Sequence, residues 1–402
     1  MFYSVEVAPG VQWVGLNDRA SQFFERLWPL PYGVSYNSYL VLGEKSALID
    51  TVLKPGDTSY WDRIVEQTAG HQLDYLVINH MEPDHSGAIG MIVTHCPQIT
   101  IVGNKQTKKL LDAMVPGCQN FMEVSDGQEL DLGGGKHLRF VLTPWVHWPA
   151  TMMTYRPEQQ VLFSGDAFGS FGAHDGYLFD DEFNYASIED EMRRYFSCIV
   201  GRYSSFVQKA LAKLKDVPIS YICSTHGPVW RSHTSWVIGR YDAWSRQVAD
   251  PGVVVAVGSM YGTTMNLAEY VARKLVEHGI RDVEFFDVSA TSISNIVSQA
   301  WRLKGLILVS VSYNTGLYPA MQLLCDELLE VKLAGRHLGL LGTGSWSGGA
   351  KRKLAEFAQA SGLPLACDPL EVLGQPTPEK LKALDDLAEA VANKVLADTR
   401  EA

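Results

Sequence analysis

Apolar positions along the chain follow two different rhythms. In the first half, short β-branched or apolar runs alternate with segments of helical period. Ser38–Asp50 is expected to form two strands around a Gly43-Glu44 turn, and Tyr75–Asn79 and Val161–Ser164 to form buried strands. Glu189–Lys215 and Ser232–Val248 carry the helical period. Asp250-Pro251-Gly252 breaks the pattern and divides the chain into residues 1–249 and 250–402. Beyond it strand and helix alternate strictly. Strands are expected at Val253–Val257, Val283–Phe286, Leu306–Val311, His337–Leu341 and Leu365–Pro369. Helices are expected at Asn266–His278, Ser292–Leu303, Ala320–Leu333, Ala350–Gly362 and from Pro378 onward. Such alternation predicts a parallel sheet covered on both faces.

Composition narrows the class. The 402 residues are 46% hydrophobic and 20% charged, a normal globular balance. No segment approaches the roughly 18 apolar residues of a membrane helix. Met1-Phe2-Tyr3-Ser4-Val5-Glu6 lacks the basic and apolar regions of a signal peptide, so the cytoplasm is the expected compartment. A net charge of −11 with no Lys/Arg cluster argues against nucleic acid as a partner. The six cysteines, Cys96, Cys118, Cys198, Cys223, Cys325 and Cys367, are scattered. That spacing argues against a disulfide framework, an iron–sulfur cluster or a rubredoxin-type site, and reduced, mostly buried thiols are expected.

The densest chemistry follows the Tyr75–Asn79 strand. His80-Met81-Glu82-Pro83-Asp84-His85 puts four candidate metal ligands into six residues, with Ser86-Gly87 turning toward a helix. His147 follows Leu138–Leu142, Asp166 follows Val161–Ser164, and His226 follows Ile219–Cys223. A lone histidine after a strand is usually a satisfied core or surface residue, and Asp after Ser-Gly is usually a turn or cap. Seven such groups, all at strand ends, point instead to a metal site in an αββα sandwich.

In this pattern the chain resembles the flavodiiron proteins, whose first domain has the metallo-β-lactamase fold. Their His-x-Glu-x-Asp-His motif, followed by a distant His, Asp and His, is matched by His80, Glu82, Asp84, His85, His147, Asp166 and His226. Hydrolases of that fold usually carry His where Glu82 stands, and use zinc. A hard carboxylate there suits iron that changes oxidation state. The resemblance implies that His80, Glu82 and His147 bind one iron, that Asp84, His85 and His226 bind the other, and that Asp166 bridges them. Members of the family differ at the position of His85. Some also carry a histidine in the loop near Phe24, where this chain has Glu25 and Arg26.

A second constellation sits in the second half. Ser259-Met260-Tyr261-Gly262-Thr263-Thr264 lies where a strand turns into a helix, so backbone amides and hydroxyls can wrap a phosphate. The order S-x-x-G-x-T-x-x-x-A resembles the flavodoxin phosphate loop. It is neither the G-x-G-x-x-G of dinucleotide folds nor a P-loop, which needs a lysine. Ser312-Tyr313-Asn314-Thr315-Gly316 and Thr343-Gly344-Ser345-Trp346-Ser347 lie at the carboxyl ends of later strands, where doubly wound sheets bind ligands. Tyr261 or Trp346 could stack on an isoalloxazine ring. The plainer alternatives are a simple helix cap for the Ser/Thr-rich turn and a packing role for Trp346.

The resemblance covers essentially the whole chain in a two-domain arrangement. It implies FMN, a non-heme diiron centre, and reduction of O2 to water or of NO to N2O. No cysteine pair can make a rubredoxin, so the donor should be a separate protein such as rubredoxin, or a flavin- or deazaflavin-linked reductase. It further implies a head-to-tail homodimer or a dimer of dimers. Two other classes compete: a zinc hydrolase fused to a flavodoxin, which metal analysis would distinguish, and an electron carrier or sensor without turnover, which activity with a reduced donor would distinguish.

Overall fold

The computed structural model describes residues 4–53, 59–118, 120–346 and 348–401. Contacts between α-carbons divide it into two units, Met1–Arg246 and Gln247–Ala402.

The first unit is built on two sheets. In one, strands β1 (Val5–Ala8), β2 (Val11–Trp13), β3 (Tyr39–Val41), β4 (Ala47–Ile49), β5 (Tyr75–Val77), β6 (Thr100–Gly103) and β7 (Phe121–Glu123) lie in chain order. The other sheet runs β8 (Glu129–Asp131), β9 (His137–Leu142), β10 (Met152–Arg156), β11 (Val161–Gly165) and β12 (Tyr221–Ser224). In the first sheet the pairing turns parallel from β4 onward, and in the second only β11–β12 is parallel. Inner-face residues of both sheets, among them Trp13, Tyr39, Val41, Ile49, Val77, Phe140, Met152 and Phe163, form one buried cluster. That is the αββα sandwich expected for this half. β5 in the first sheet and the parallel pair β11–β12 in the second deliver the residues that follow them to the same edge of the sandwich, where His80 and His226 both approach Asp166.

Glu189–Lys215 is not one helix. An α-helix over Glu189–Tyr195 passes through a π-helical turn at Phe196–Val200 and a 3-10 turn at Gly201–Tyr203 into a second α-helix over Ser204–Leu214. Ser197 and Ser204 donate their hydroxyls to the carbonyls of Arg194 and Gly201, three residues back. Such back-bonding competes with the regular ladder.

The second unit is a parallel sheet of β13 (Asp250–Gly258), β14 (Val283–Asp287), β15 (Leu303–Tyr313), β16 (His337–Gly344) and β17 (Leu370–Leu373), in the order β14-β13-β15-β16-β17. This is the flavodoxin-type doubly wound order. Val253–Val257 is buried at every position, as a strand covered on both faces must be. Helices Thr263–Glu277 and Pro378–Glu401 cover one face. Helices Ile293–Arg302, Pro319–Glu330 and Ala350–Ser361 belong to the other. Arg336, fully buried, donates to the carbonyls of Ala300, Trp301, Ala334 and Gln247, so its charge is spread over backbone acceptors.

Two expectations for this half need correction. Pro251 and Gly252 do not stop a strand but lie inside β13, as an irregularity in its pairing with β15 between Asp250 and Val253. The last strand lies at Leu370–Leu373, not Leu365–Pro369: Leu365 makes one isolated bridge to Leu338, and the ladder resumes at Leu370 opposite Leu341. Pro364 and Pro369 flank the gap and have no N–H to donate. None of the described helices is long and apolar enough to cross a membrane.

Candidate metal centre and flavin loops

The Tyr75–Val77 strand is followed by a loop that its neighbours hold at several points. Asp50, just past β4, accepts from the Asn79 and His80 backbone N–H groups at 2.7 and 3.3 Å and from the Asn79 side-chain amide at 3.0 Å. Thr154 on β10 donates to the Asn79 side-chain oxygen at 2.7 Å. Glu82 immediately precedes a short helix, Pro83–Ser86, that carries Asp84 and His85. Thr51 donates both its N–H and its hydroxyl to the His85 carbonyl. Local sequence and cross-strand hydrogen bonds together therefore fix all four candidate ligands of this loop.

The remaining three arrive from other strand ends. His147 lies between β9 and β10 in a turn tied by Thr151, whose hydroxyl donates to the Thr143 carbonyl and accepts from the Val146 N–H. Asp166 follows β11 and accepts from the Thr225 hydroxyl at 2.7 Å. His226 follows β12. Its Nδ1 lies 2.7 Å from the Ser35 carbonyl, an acceptor only, so the ring proton sits on Nδ1 and the Nε2 lone pair faces inward. Phe24, Tyr36 and Tyr195 surround that ring at centroid distances of 5.3, 5.6 and 5.5 Å.

All seven residues are buried. They form two groups of donor atoms, each group within 4.8 Å: His80, Glu82, His147 and Asp166, and Asp84, His85 and His226. In the first, Glu82 Oε2 is 3.0 Å from both His80 Nε2 and His147 Nε2, and Asp166 Oδ2 is 3.2 Å from both. In the second, Asp84 Oδ2 lies 3.1 Å from His85 Nε2 and 3.2 Å from His226 Nε2. Asp166 Oδ1 is 2.9 Å from His85 and 3.6 Å from His226. One oxygen of Asp166 thus faces each group.

Two tests bear on whether metal ions fit. Ligand atoms bound at about 2.1 Å and at right angles on one ion stand about 3 Å apart, which is the spacing found here. Moreover, both oxygens of Asp84 and the Nε2 atoms of His85, His147 and His226 are buried with no hydrogen-bond partner. Near-contact without hydrogen-bond geometry is what atoms converging on a common cation show, and buried polar atoms are otherwise satisfied. The groups fit two ions.

The charges of this cluster depend on one another. Burial opposes ionisation of Glu82, but the His147 and His80 imidazoles lying against its carboxylate outweigh it and draw the carboxyl down to about 2. Burial likewise opposes charge on Asp84 and Asp166, and neighbouring histidines pull both below the usual range. His147, pressed down by burial, is lifted to about 10 by Asp166 and Glu82. Burial lifts Asp50 to about 6. Three acids in a buried pocket need positive charge, from protons on the histidines or from metal.

In the second unit the three loops come together at the carboxyl ends of β13, β15 and β16. Gly262 adopts φ 92° before helix Thr263–Glu277, a conformation that favours glycine. Ser259 Oγ accepts from the Gly262 and Met265 N–H groups. Thr264 and Thr343 share a buried hydroxyl–hydroxyl bond of 2.7 Å, which ties the first loop to the third. Asn314 and Thr315 form the left-handed tip of a hairpin from Ser312–Tyr313 back to Gly316–Leu317. Ser312 accepts from the Ala350 N–H and so joins the second loop to the helix that follows the third. Tyr261 is 94% exposed and Trp346 83%, with Met260 and Tyr313 also exposed. Aromatic rings left in water beside small polar residues suit a flat cofactor. Gly344 and Ser345 lie beside them, and Ser347 falls outside the described residues.

The residues that hold the ligands are less visible in the sequence than the ligands. Asp50, Asn79, Ser35 and Thr225 are common polar residues. Only their place at strand ends next to ligand-bearing segments hints at their use.

A sandwich with two facing donor groups, joined in one chain to a flavodoxin-type unit with its phosphate loop, defines a flavin- and metal-dependent protein of metallo-β-lactamase fold. The profile of the ODP family beta lactamase matches residues 34–227, and that of Flavodoxin matches residues 255–384. The anaerobic nitric oxide reductase flavorubredoxin of Aliivibrio fischeri is 31% identical over 382 residues, covering 90% of this chain and 75% of that protein. Its Vibrio vulnificus counterpart is 32% identical over 363 residues, 86% of this chain and 71% of its own length. Among solved structures, the rubredoxin oxygen:oxidoreductase of Desulfovibrio gigas superposes with a TM-score of 0.92 at 27% identity, covering 98% of this chain and 99% of that one. The flavodiiron protein of Giardia intestinalis gives 0.94 at 26% identity, covering 99% and 98%. The chain belongs to the flavodiiron protein family.

Proposed function

We propose that this chain is an oxidoreductase that reduces O2 to water, NO to N2O, or both, at a diiron centre supplied with electrons through FMN. The observation that carries the reading is Asp166, which turns one carboxylate oxygen to each of two buried, hydrogen-bond-deficient donor groups. His80, Glu82 and His147 would hold one iron, Asp84, His85 and His226 the other, with Asp166 between them. The flavodiiron relatives support this assignment. When bound, the irons and FMN supply electrons and open coordination positions.

The protein's part is placement and charge. Three carboxylates offset most of the charge of two divalent ions. The Ser35 carbonyl fixes the His226 tautomer, and Asp50 fixes the backbone that aims His80. The loops at Ser259–Thr264, Ser312–Gly316 and Thr343–Trp346 would hold FMN, with phosphate at the N-terminus of helix Thr263–Glu277.

The electron donor would be a separate protein, rubredoxin or a flavin- or deazaflavin-linked reductase. The name of the D. gigas relative, which pairs rubredoxin with oxygen, supports that choice. A head-to-tail homodimer, alone or paired into a tetramer, would set one subunit's flavin by its partner's irons. Six free cysteines suit a reducing cytoplasm.

The test is anaerobic turnover of metal-analysed protein, reduced through a surrogate donor, with O2 and NO supplied separately. Two irons and one FMN per chain with rapid gas consumption is the expected result, and the faster gas names the main activity. Zinc with no gas consumption would overturn the reading in favour of a hydrolase.

A further inference from the structure

The loop that carries His226 is held by a short stretch far from it in sequence. Strand Val34–Tyr36 pairs with Leu16–Asp18 and runs directly into Asn37, which lies 187 residues before Ser224. Asn37 is fully buried. Its backbone N–H donates to the Thr225 carbonyl at 2.7 Å. Its side-chain amide donates to the Ser224 carbonyl at 3.0 Å and to the Gly227 carbonyl at 2.8 Å. The Ser224 hydroxyl donates to the remaining carbonyl, that of His226, at 2.7 Å. All four carbonyls of Ser224–Gly227 are therefore occupied, three of them by Asn37. Ser35 meets the same loop at two further points. Its carbonyl takes the His226 Nδ1 proton, and its hydroxyl oxygen accepts from the Gly227 N–H, each at 2.7 Å.

The amide can face only one way. The Trp13 indole N–H, at 2.9 Å, donates and cannot accept, so the atom facing it is Asn37 Oδ1. That oxygen also lies 3.2 Å from His174 Nε2. Both protons of Nδ2 then fall on the two loop carbonyls, which only accept. Gly15 leaves room for the approach: a methyl group there would stand 2.8 Å from the Asn37 α-carbon and 2.9 Å from Trp13 Nε1. Anchored at its oxygen end, the side chain spans the loop with one N–H on each flank of Thr225-His226. Between those flanks the Thr225 hydroxyl donates to Asp166, and His226 Nε2 turns toward Asp84. Separate donors would satisfy the two carbonyls equally well. A single rigid amide also fixes the distance between them, and with it the direction of the residues they enclose.

We propose that Asn37, assisted by the Ser35 hydroxyl, is a positioning residue for the metal held by Asp84, His85 and His226: by spanning Ser224 and Gly227 it fixes the loop from which His226 presents Nε2. This assignment rests on the two-metal reading above and predicts an asymmetry. Among the described residues the hydrogen bonds of Asn37 go to the His226 loop, Trp13 and His174, and not to the segments carrying His80, Glu82 or His147. Contacts that orient a metal ligand from outside change affinity by about 10- to 100-fold.

The test is titration of Co(II), a spectroscopic probe for iron, into the metal-free full-length protein, with affinities set by a competing chelator. Wild type should take up two ions per chain. His226→Ala removes a ligand outright, so the binding step it abolishes is the one that belongs to this loop. Asn37→Ala should weaken that same step by about 10-fold or more and shift the absorption of the Co(II) bound there, with the other step and the FMN content unchanged. Ser35→Ala removes the acceptor of the Gly227 N–H with little loss of volume, and should weaken the same step by about fivefold. If Asn37→Ala does not fold, Ser35→Ala decides, and an unchanged affinity in it overturns the proposal. Equal affinities in wild type and a folded Asn37→Ala would overturn it too. So would a parallel loss at both steps with a lower thermal midpoint, since that marks general damage to the fold. Fewer than two ions bound by the wild type would overturn the two-metal reading and this assignment with it, whatever the variants do.

Discussion

The two candidate cofactor sites are built on opposite principles. In the first unit seven buried side chains present charged or lone-pair atoms to two points, and a surrounding set of hydrogen bonds aims them. In the second, three loops present backbone N–H groups, hydroxyls and exposed rings, and the tie between the first and third is a pair of threonines. Metal ions need anionic and imidazole donors, which a fold can bury only if the cation compensates them. A phosphate and a flat ring need amides and surface, which a strand-to-helix turn provides with almost no buried charge. The first site should therefore fail all at once when one shared ligand is lost, whereas the second should weaken by increments.

The sharpest way to break that contrast is Asp166→Ala. Asp166 contributes to both donor groups, so its loss should weaken binding at both by at least about 100-fold, an effect beyond that of any orienting contact. Iron per chain should fall from two toward zero and gas turnover with it, while FMN per chain stays at one. Metal analysis beside flavin absorbance decides the matter. Retention of one tightly bound iron would show that the two groups are independent and that Asp166 does not bridge.

How legible each site is in the sequence follows from the same contrast. The first four ligands sit within one loop, so their density is visible without a structure, whereas His147, Asp166 and His226 gain meaning only from the family pattern. Asp50 is silent in the sequence, because its role is to meet Asn79 across 29 residues. The alternation of the second half gives its order of elements directly. Its last strand is displaced because Pro369 ends the apolar run, while pairing resumes with Leu370. The Glu189–Lys215 period is helical throughout, and the π-turn at Phe196–Val200 leaves no trace in it.

A second test concerns the scaffold behind the metal ligands. Asn37 donates to the carbonyls of Ser224 and Gly227, on either side of His226, and accepts from Trp13 and from His174. Burial, aided by the charge of Arg19, lowers His174 from 6.5 to about 4. The unfolded chain therefore takes up this proton first as pH falls. The associated stability is present above about 6.5, declines as pH falls toward 4, and amounts to about 3 kcal/mol when fully lost. Urea unfolding of the metal-free protein should show this decline, and His174→Gln should flatten it. An unchanged slope in the variant would mean that His174 is already charged in the fold.

The smallest expected effect tests the other side of the comparison. Thr264→Val removes one hydroxyl of the pair that joins the phosphate-loop helix to the end of β16, and leaves the volume nearly unchanged. Loss of one such bond costs about 1 kcal/mol, so FMN should bind about fivefold more weakly, while iron content and affinity remain as in wild type. Flavin fluorescence on titration of the FMN-free protein gives the constant. A loss of 100-fold or more would show that the loops form an all-or-none site like the metal centre, and the proposed difference between the two would fall. No change at all would place the Thr264–Thr343 bond outside the flavin site and leave the backbone amides around Gly262 and Thr263 to hold the phosphate.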